Sequence, residues 1–332
     1  MPAVTTLDFD PTTSLFGLDV RLETLALAAV IFFVLLIAAF SSGRMQAAMM
    51  AGLEEDEERP RPLRRDDLLL IAFGAVPGAV VGARVDYGLI HADYFSQDWT
   101  RLLDPAQGGL ALTLGVVLGT GTAIAVAVLL NAPVSRWLHV AAVPLLLGLG
   151  LGKLAMLLGG DGQGQFSDGP WAVAFAGPGP WQSANPDVPA TASQAIEGAL
   201  VLLAALAVMV VPLLLRLRLR RWGFVVRPGL APNLKIGLLT GYGRFLTVVV
   251  LWAAIRFGVA FTWRDALVLD QFDVEQLILA GAIVFFVAAG LTASFAQWWR
   301  RRRAAVKTQG PKGPPASNLL EPKRGPEPWA WR

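Results

Sequence analysis

Four basic residues interrupt otherwise apolar runs of this chain: Arg84, Lys153, Arg244 and Arg256. A charge at bilayer depth costs at least a few kcal/mol, so residues of this kind face a polar interior and mark a functional path. Arginine suits phosphate because its planar fork donates two hydrogen bonds at once, and lysine adds a point charge. With the N-terminus placed outside, Arg84 and Lys153 fall in the outer thirds of their runs. Arg256 falls at the outer end of its run, and Arg244 nearer the middle of the same run. Arg84, Lys153 and Arg244 therefore predict a cationic pocket opening toward the outer leaflet, with an anionic lipid headgroup as its natural ligand. The same charges can instead be neutralised internally, Arg84 by Asp86 and Lys153 by Glu197. Arg256 is expected to snorkel toward the interface.

The elements that must position these groups are membrane spans. The chain has 332 residues, 55% hydrophobic and 16% charged, where a soluble domain carries about a quarter charged residues. The apolar residues come in blocks long enough to cross a bilayer core, which needs about 20 of them. Candidate spans lie at 22–40, 68–90, 110–130, 138–158, 195–215, 236–256 and 277–297, giving an all-α polytopic membrane protein of about seven helices. The third span is rich in glycine and threonine, which suits close helix packing. Residues 1–21 form an outer segment without the positive start of a secretory signal, so the first block reads as a retained helix. Residues 22–297 form the membrane domain and 159–194 its large outer loop, with Trp171 and Trp181 as candidates for headgroup level. Residues 298–332 form a basic, proline-rich tail read as disordered and cytoplasmic.

Orientation follows from lysine and arginine. With the N-terminus outside and the C-terminus inside, the inner segments hold 21 of the 28 basic residues and the outer segments hold Arg21, Arg101 and Arg264. That excess is a positive-inside signal for a bacterial inner membrane. The net charge of +3 gives no reason to expect nucleic acid. The acidic run from Glu54 to Glu58 reads as a solvated loop.

The absence of cysteine excludes disulfides, thiol catalysis and cysteine metal sites in this chain, so any thiol in its chemistry comes from a partner or substrate. The two histidines, His91 and His139, are too few for a histidine metal site and read as interfacial. No metal or cofactor is expected.

The run Gly152-Lys-Leu-Ala-Met-Leu-Leu-Gly-Gly-Asp-Gly-Gln-Gly164 resembles the signature of the prolipoprotein diacylglyceryl transferase family, Gly-Arg-x-Gly/Ala-Asn-Phe-x-Asn-x-Glu-x-x-Gly. Lys153 stands for its arginine and Asp161 for its glutamate; Gly152, Ala155 and Gly164 match. Other segments follow in order. Gly82-Ala-Arg84-Val-Asp-Tyr87 is similar to the family's second helix, and Gly108 to Gly115 to its Gly-Gly-Leu-Ala-Ile-His-Gly-Gly. Pro170 to Phe175 is similar to its Pro-Trp-Ala-Val-x-Phe. Ser193-Gln194 with Glu197 follows its His-Pro-Ser-Gln-x-x-Glu, and Thr240-Gly241 with Arg244-Phe245 its Tyr-Gly-x-x-Arg-Phe. Glu275-Gln276 resembles its last Gly-Gln segment. The resemblance covers about residues 15–296. The family's histidine falls on Thr113, the histidine before Ser193 on Thr191, the tyrosine on Thr240, and a glutamate one turn after the arginine on Val248.

The resemblance implies transfer of diacylglycerol from phosphatidylglycerol to the lipobox cysteine thiol of a prolipoprotein, with glycerol phosphate leaving. It implies catalytic roles for Arg244, Lys153, Glu197 and Asp161, with Arg84, Lys153 and Arg244 on the lipid phosphate and Gln194, Gly164 and Asp86 in support. The thiol needs a base, since the thiolate is the nucleophile. Thr113 cannot act as one near neutral pH, and the sequence does not choose among Asp86, Asp161 and Glu197. A non-catalytic relative that binds anionic lipid or lipoprotein precursors shares these features. A transporter is the third reading, against which stands the lack of a clear internal repeat.

Overall fold

A computed structural model of the chain describes residues 4–50, 62–104, 110–183, 185–221, 241–265, 267–269 and 271–308. Residues Met1–Ala288 form one compact unit and Ala289–Arg332 a second. Of the expected disordered tail 298–332, residues 298–308 are instead helical and continue the last helix; its remainder, the acidic run Glu54 to Glu58 and Thr240 lie outside the described residues.

Among the described residues eight α-helices carry the fold: α1 Leu22–Met50, α2 Arg65–Ile90, the short α3 Ala92–Phe95, α4 Thr113–Leu129, α5 Val134–Ala155, α6 Ser193–Arg221, α7 Tyr242–Ala260 and α8 Val274–Thr308. Six of them are long and apolar enough to cross a membrane, and α4 is a shorter apolar helix of 17 residues. At 1.5 Å per residue α4 reaches about 26 Å, at the lower end of what a bilayer core needs. This is a multi-pass membrane protein, and the seven spans read in the sequence correspond to these six helices and α4. Its surface is accordingly inverted: Phe32 and Phe33 of α1, Phe73 of α2 and Phe285 of α8 are exposed, as bilayer-facing side chains are.

Helices α1 and α8 run ten and eleven residues past the expected ends at 40 and 297, and the sixth span shifts at both ends. Residues 236–256 were expected, but α7 begins at Tyr242, because Gly241 turns the chain with φ +56, and ends at Ala260. Arg244 therefore sits in the first turn of α7, at its inner end, and not near mid-helix as expected.

Helices α2 and α4 pack along a glycine seam. A methyl group on Gly82 would meet the Leu114 carbonyl carbon at 2.7 Å, and one on Gly119 the Ala79 Cβ at 3.0 Å. Spacing small residues one turn apart lets the backbones touch. The main core lies where α5, α6, α7 and α8 meet, around Leu146, Val201, Trp252 and Leu279.

The loop end of the helices carries small sheets. Strand β1 Thr5–Leu7 pairs in parallel with β4 Ala172–Phe175, which pairs antiparallel with β5 Ala190–Thr191. Strands β2 Thr12–Leu15 and β3 Leu18–Arg21 form a hairpin turning at Phe16-Gly17 with positive φ at both, the pattern of a tight two-residue turn. Strands β6 Leu267–Leu269 and β7 Phe272–Asp273 lead into α8. The expected outer loop 159–194 is thus partly ordered by pairing with the N-terminal residues, a long-range partnership that composition does not reveal.

Candidate functional site

Helix ends that alternate in direction bring their charged terminal residues together at the loop end. Lys153 sits in the last turn of α5, Glu197 in the first turns of α6, Arg256 in the last turns of α7 and Glu275 in the first turn of α8. Lys153 Nζ lies 3.2 Å from Glu197. Arg256 Nη1 donates to both Glu197 oxygens at 2.9 and 3.0 Å, while its Nε and Nη2 reach Glu275 Oε1 at 2.7 and 2.6 Å. Thr113, the first residue of α4, donates its hydroxyl to the same Glu275 oxygen at 2.8 Å. Two cations and two carboxylates thus form one neutral cluster. Arg256 is 4% exposed and Glu197 1%. Charges so removed from water are tolerable only when paired this completely.

Trp263 roofs the cluster. Its ring lies 4.5 Å from the Arg256 guanidinium carbon and 6.0 Å from Lys153 Nζ. It also lines a cavity of about 510 Å³ bounded by Phe166, Phe261, Arg264, Asp265, Asp273 and Gln276 among others. Arg264 stacks on Phe166 at 4.1 Å and donates to the Gly164 carbonyl. Asp273 and Gln276 cap α8 reciprocally: Asp273 Oδ1 accepts from the Gln276 amide at 2.7 Å, and Gln276 Oε1 from the Asp273 amide at 3.0 Å. This is a capping box with glutamine in its fourth position. Burial pushes the carboxyls of Asp265 and Asp273 above the usual range, and the Glu275 charge adds to this at both.

The sequence-derived site residues divide into two groups. Lys153 and Glu197 meet, as the internal-pairing reading had it. Gln194 lies one turn before Glu197 on α6, 1% exposed and with neither amide atom hydrogen-bonded. Gly164 is packed against Ser193 and the Thr262 carbonyl, leaving no room for a side chain, and Ser193 Oγ lies 2.6 Å from Thr262 Oγ1. Asp86 is wholly buried beside the α4 N-terminus, where its Oδ2 accepts from the Leu114 amide at 2.9 Å.

The other residues lie apart from this cluster. Arg84 does not pair with Asp86; it donates to the carbonyls of Arg101, Leu102 and Asp104 at 3.0, 2.7 and 2.9 Å, bracing the loop that follows α3. Arg244 lies twelve residues before Arg256, about 18 Å along the helix, and its Nη1 is 3.0 Å from His139 Nε2. Arg84, Lys153 and Arg244 therefore do not converge on one pocket. Asp161 turns back on its own loop, accepting from the Gly162 amide at 2.8 Å. His139 links α5 to the start of α7 through the Gly241 amide at 3.2 Å, and His91 closes α2 with its ring 4.2 Å from that of Tyr87. Thr191 lies in β5, and Val248 is wholly buried in the α7 core.

Sequence reasoning missed Arg256 and Glu275 as partners. Arg256 does not snorkel, because Glu197 and Glu275 hold it inside. Two signals pointed to it. Arg256 and Glu275 flank a short loop between consecutive spans, so the helix ends carrying them must be neighbours. Trp252-Ala-Ala-Ile-Arg256-Phe257 also has an aromatic four residues before an Arg-Phe pair, where the Arg244-Phe245 pair has Thr240. Of the two arginines, Arg256 is the one the fold brings to Lys153 and Glu197.

A family model described as prolipoprotein diacylglyceryl transferase matches residues 26–293. Curated relatives named phosphatidylglycerol–prolipoprotein diacylglyceryl transferase are similar in sequence. That of Ruegeria pomeroyi is 31% identical over 69% of this chain and 74% of its own length. That of Sinorhizobium medicae is 36% identical over 43% of this chain and 49% of its own. That of Finegoldia magna is 24% identical over 49% of this chain and 60% of its own. The chain thus spans only about half to three fifths of the length of the latter two.

Proposed function

The chain belongs to the prolipoprotein diacylglyceryl transferase family, and from that premise we propose that it moves diacylglycerol from phosphatidylglycerol to the lipobox cysteine of prolipoproteins at the outer face of a bacterial inner membrane. The observation that carries the reading is the buried cluster of Lys153, Glu197, Arg256 and Glu275 beneath Trp263. It lies within the family match and beside a cavity of about 510 Å³.

In this reading Lys153 and Arg256 stabilise the charge that builds on the departing phosphate. Cations fixed in a dry site need no reorganisation as that charge develops. Glu197 and Glu275 hold the two cations in place. Arg256 takes the role that the sequence pattern had placed on Arg244. Arg84 and Arg244 act as braces, on the loop after α3 and on His139. The N-terminus lies outside, which puts the cavity on the same side as the incoming lipoprotein.

One observation favours a second reading, a non-catalytic binder of anionic lipid. Thr113 has no ionisable group, and the cations of the cluster already hold carboxylates.

Purified protein is mixed with phosphatidylglycerol vesicles and a lipobox peptide, and the peptide mass is followed for a thioether-linked diacylglycerol. Product that is lost in Lys153→Met, a variant that leaves the Arg256–Glu197 pair intact, is the expected result. No product, with a conventional family member active in parallel and lipid still bound, favours the binder.

A further inference from the structure

Asp86 carries the only buried carboxylate oxygen among the described residues that lacks a hydrogen-bond partner. Of the other acids near the cluster, Asp265 is exposed to solvent, and the following each already hold a partner. Glu197 gives both oxygens to Arg256 and one also to Lys153. Glu275 Oε1 is shared by Arg256 and Thr113. Asp161 and Asp273 accept from the amides of Gly162 and Gln276. In Asp86, Oδ2 accepts from the Leu114 amide and the Thr113 amide lies close by, while Oδ1 has no hydrogen-bond partner in a side chain that is 0% exposed. A fixed acceptor with a free lone pair can take a proton once the donor is brought within hydrogen-bond reach.

Its position adds a second argument. Leu114, which Asp86 holds, directly follows Thr113, the residue at the family's histidine position. The Thr113 hydroxyl faces away from this task, donating to Glu275. Resting on the transferase reading, we propose that Asp86 takes the proton of the incoming lipobox thiol, since position 113 holds a threonine and not a histidine. The S–H bond breaks and its proton goes to Asp86 Oδ1. The sulfur forms a bond to the glyceryl carbon. The bond from that carbon to the phosphate oxygen breaks, and its electron pair leaves with glycerol phosphate. That group then collects the proton from Asp86, which restores the carboxylate.

The test uses the full chain, with transfer followed against pH. The charged groups facing Asp86 are Glu275 of α8 and Arg256 of α7, so both are left unchanged. Asp86→Asn keeps an oxygen for the Leu114 amide and removes only the base. It is expected to lower kcat about 100-fold or more, with KM for the peptide within about twofold, and to abolish the acid limb of the profile. Adding Thr113→His to Asp86→Asn is expected to restore at least about tenfold of the loss, with activity now rising near the ordinary histidine range of about 6.5. Should Asp86→Asn not fold, Asp86→Glu serves instead. It keeps the charge and the acid limb while displacing the oxygen, and is expected to lose about tenfold in kcat. Wild-type transfer together with kcat within about threefold in Asp86→Asn, or in Asp86→Glu if that is the variant that folds, overturns the proposal: Oδ1 then meets no more than a water. Absence of transfer in the wild type fails the transferase reading itself and is distinguishable from that result.

Discussion

At the scale of single residues, the Arg256 guanidinium is the hub of the site. Two carboxylates on different helices depend on it, whereas Lys153 shares Glu197 with Arg256. Arg256→Met is therefore expected to destabilise the protein by about 3–5 kcal/mol, the cost of leaving buried charge unpaired. Lys153→Met is expected to cost clearly less, since Glu197 keeps its other partner. Thermal unfolding in detergent checks the order, and equal losses would contradict it. Part of this was legible in the sequence: Lys153 and Glu197 were candidate partners from charge and depth. Arg256 was not, because the Arg-Phe pair occurs twice on one helix and sequence alone does not fix which copy reaches the site. Glu275 was hidden for a related reason. It lies in the first turn of a span, where an acid usually reads as a solvated helix start.

At the scale of elements, the seam between α2 and α4 decides how α4 is held. Gly82→Ala must push the Leu114 backbone away, whereas Gly121 of the same α4 has nothing within 4 Å of a new methyl group. Gly82→Ala is expected to lower the melting temperature. Gly121→Ala is expected to leave it unchanged or raise stability by up to about 1 kcal/mol, the helix-propensity gain. The same unfolding assay separates the two. Asp273→Ala removes half of the α8 capping box and is expected to cost about 1 kcal/mol. The glycine-rich composition of the third span announced close packing, and the partner was found in the glycines of α2. The strands of the loop end were not legible, since β1 and β4 are parallel partners far apart in the chain, and each is too short to show a period of its own.

At the scale of the whole molecule, the apolar blocks gave the multi-pass architecture directly, because bilayer thickness fixes span length. The bounds shifted where a backbone feature intervened, as Gly241 does before α7. The orientation can be read out in cells, since the chain has no cysteine to confuse labelling. Gln165→Cys, at the loop end, is expected to react with an impermeant maleimide from outside. Arg64→Cys, before α2, is expected to react only after permeabilisation. The reverse pattern would invert the topology. The neutrality of the Lys153–Glu197–Arg256–Glu275 cluster has a further consequence at this scale. A site whose charges already cancel casts almost no field beyond its own walls, so it does not draw anionic lipid from a distance as an open cationic funnel does. On the proposed reading, recognition begins at contact, when a phosphate competes with resident carboxylates for the same cations. The cluster would then work as an ion exchanger, and its rate of lipid capture is expected to be nearly independent of ionic strength.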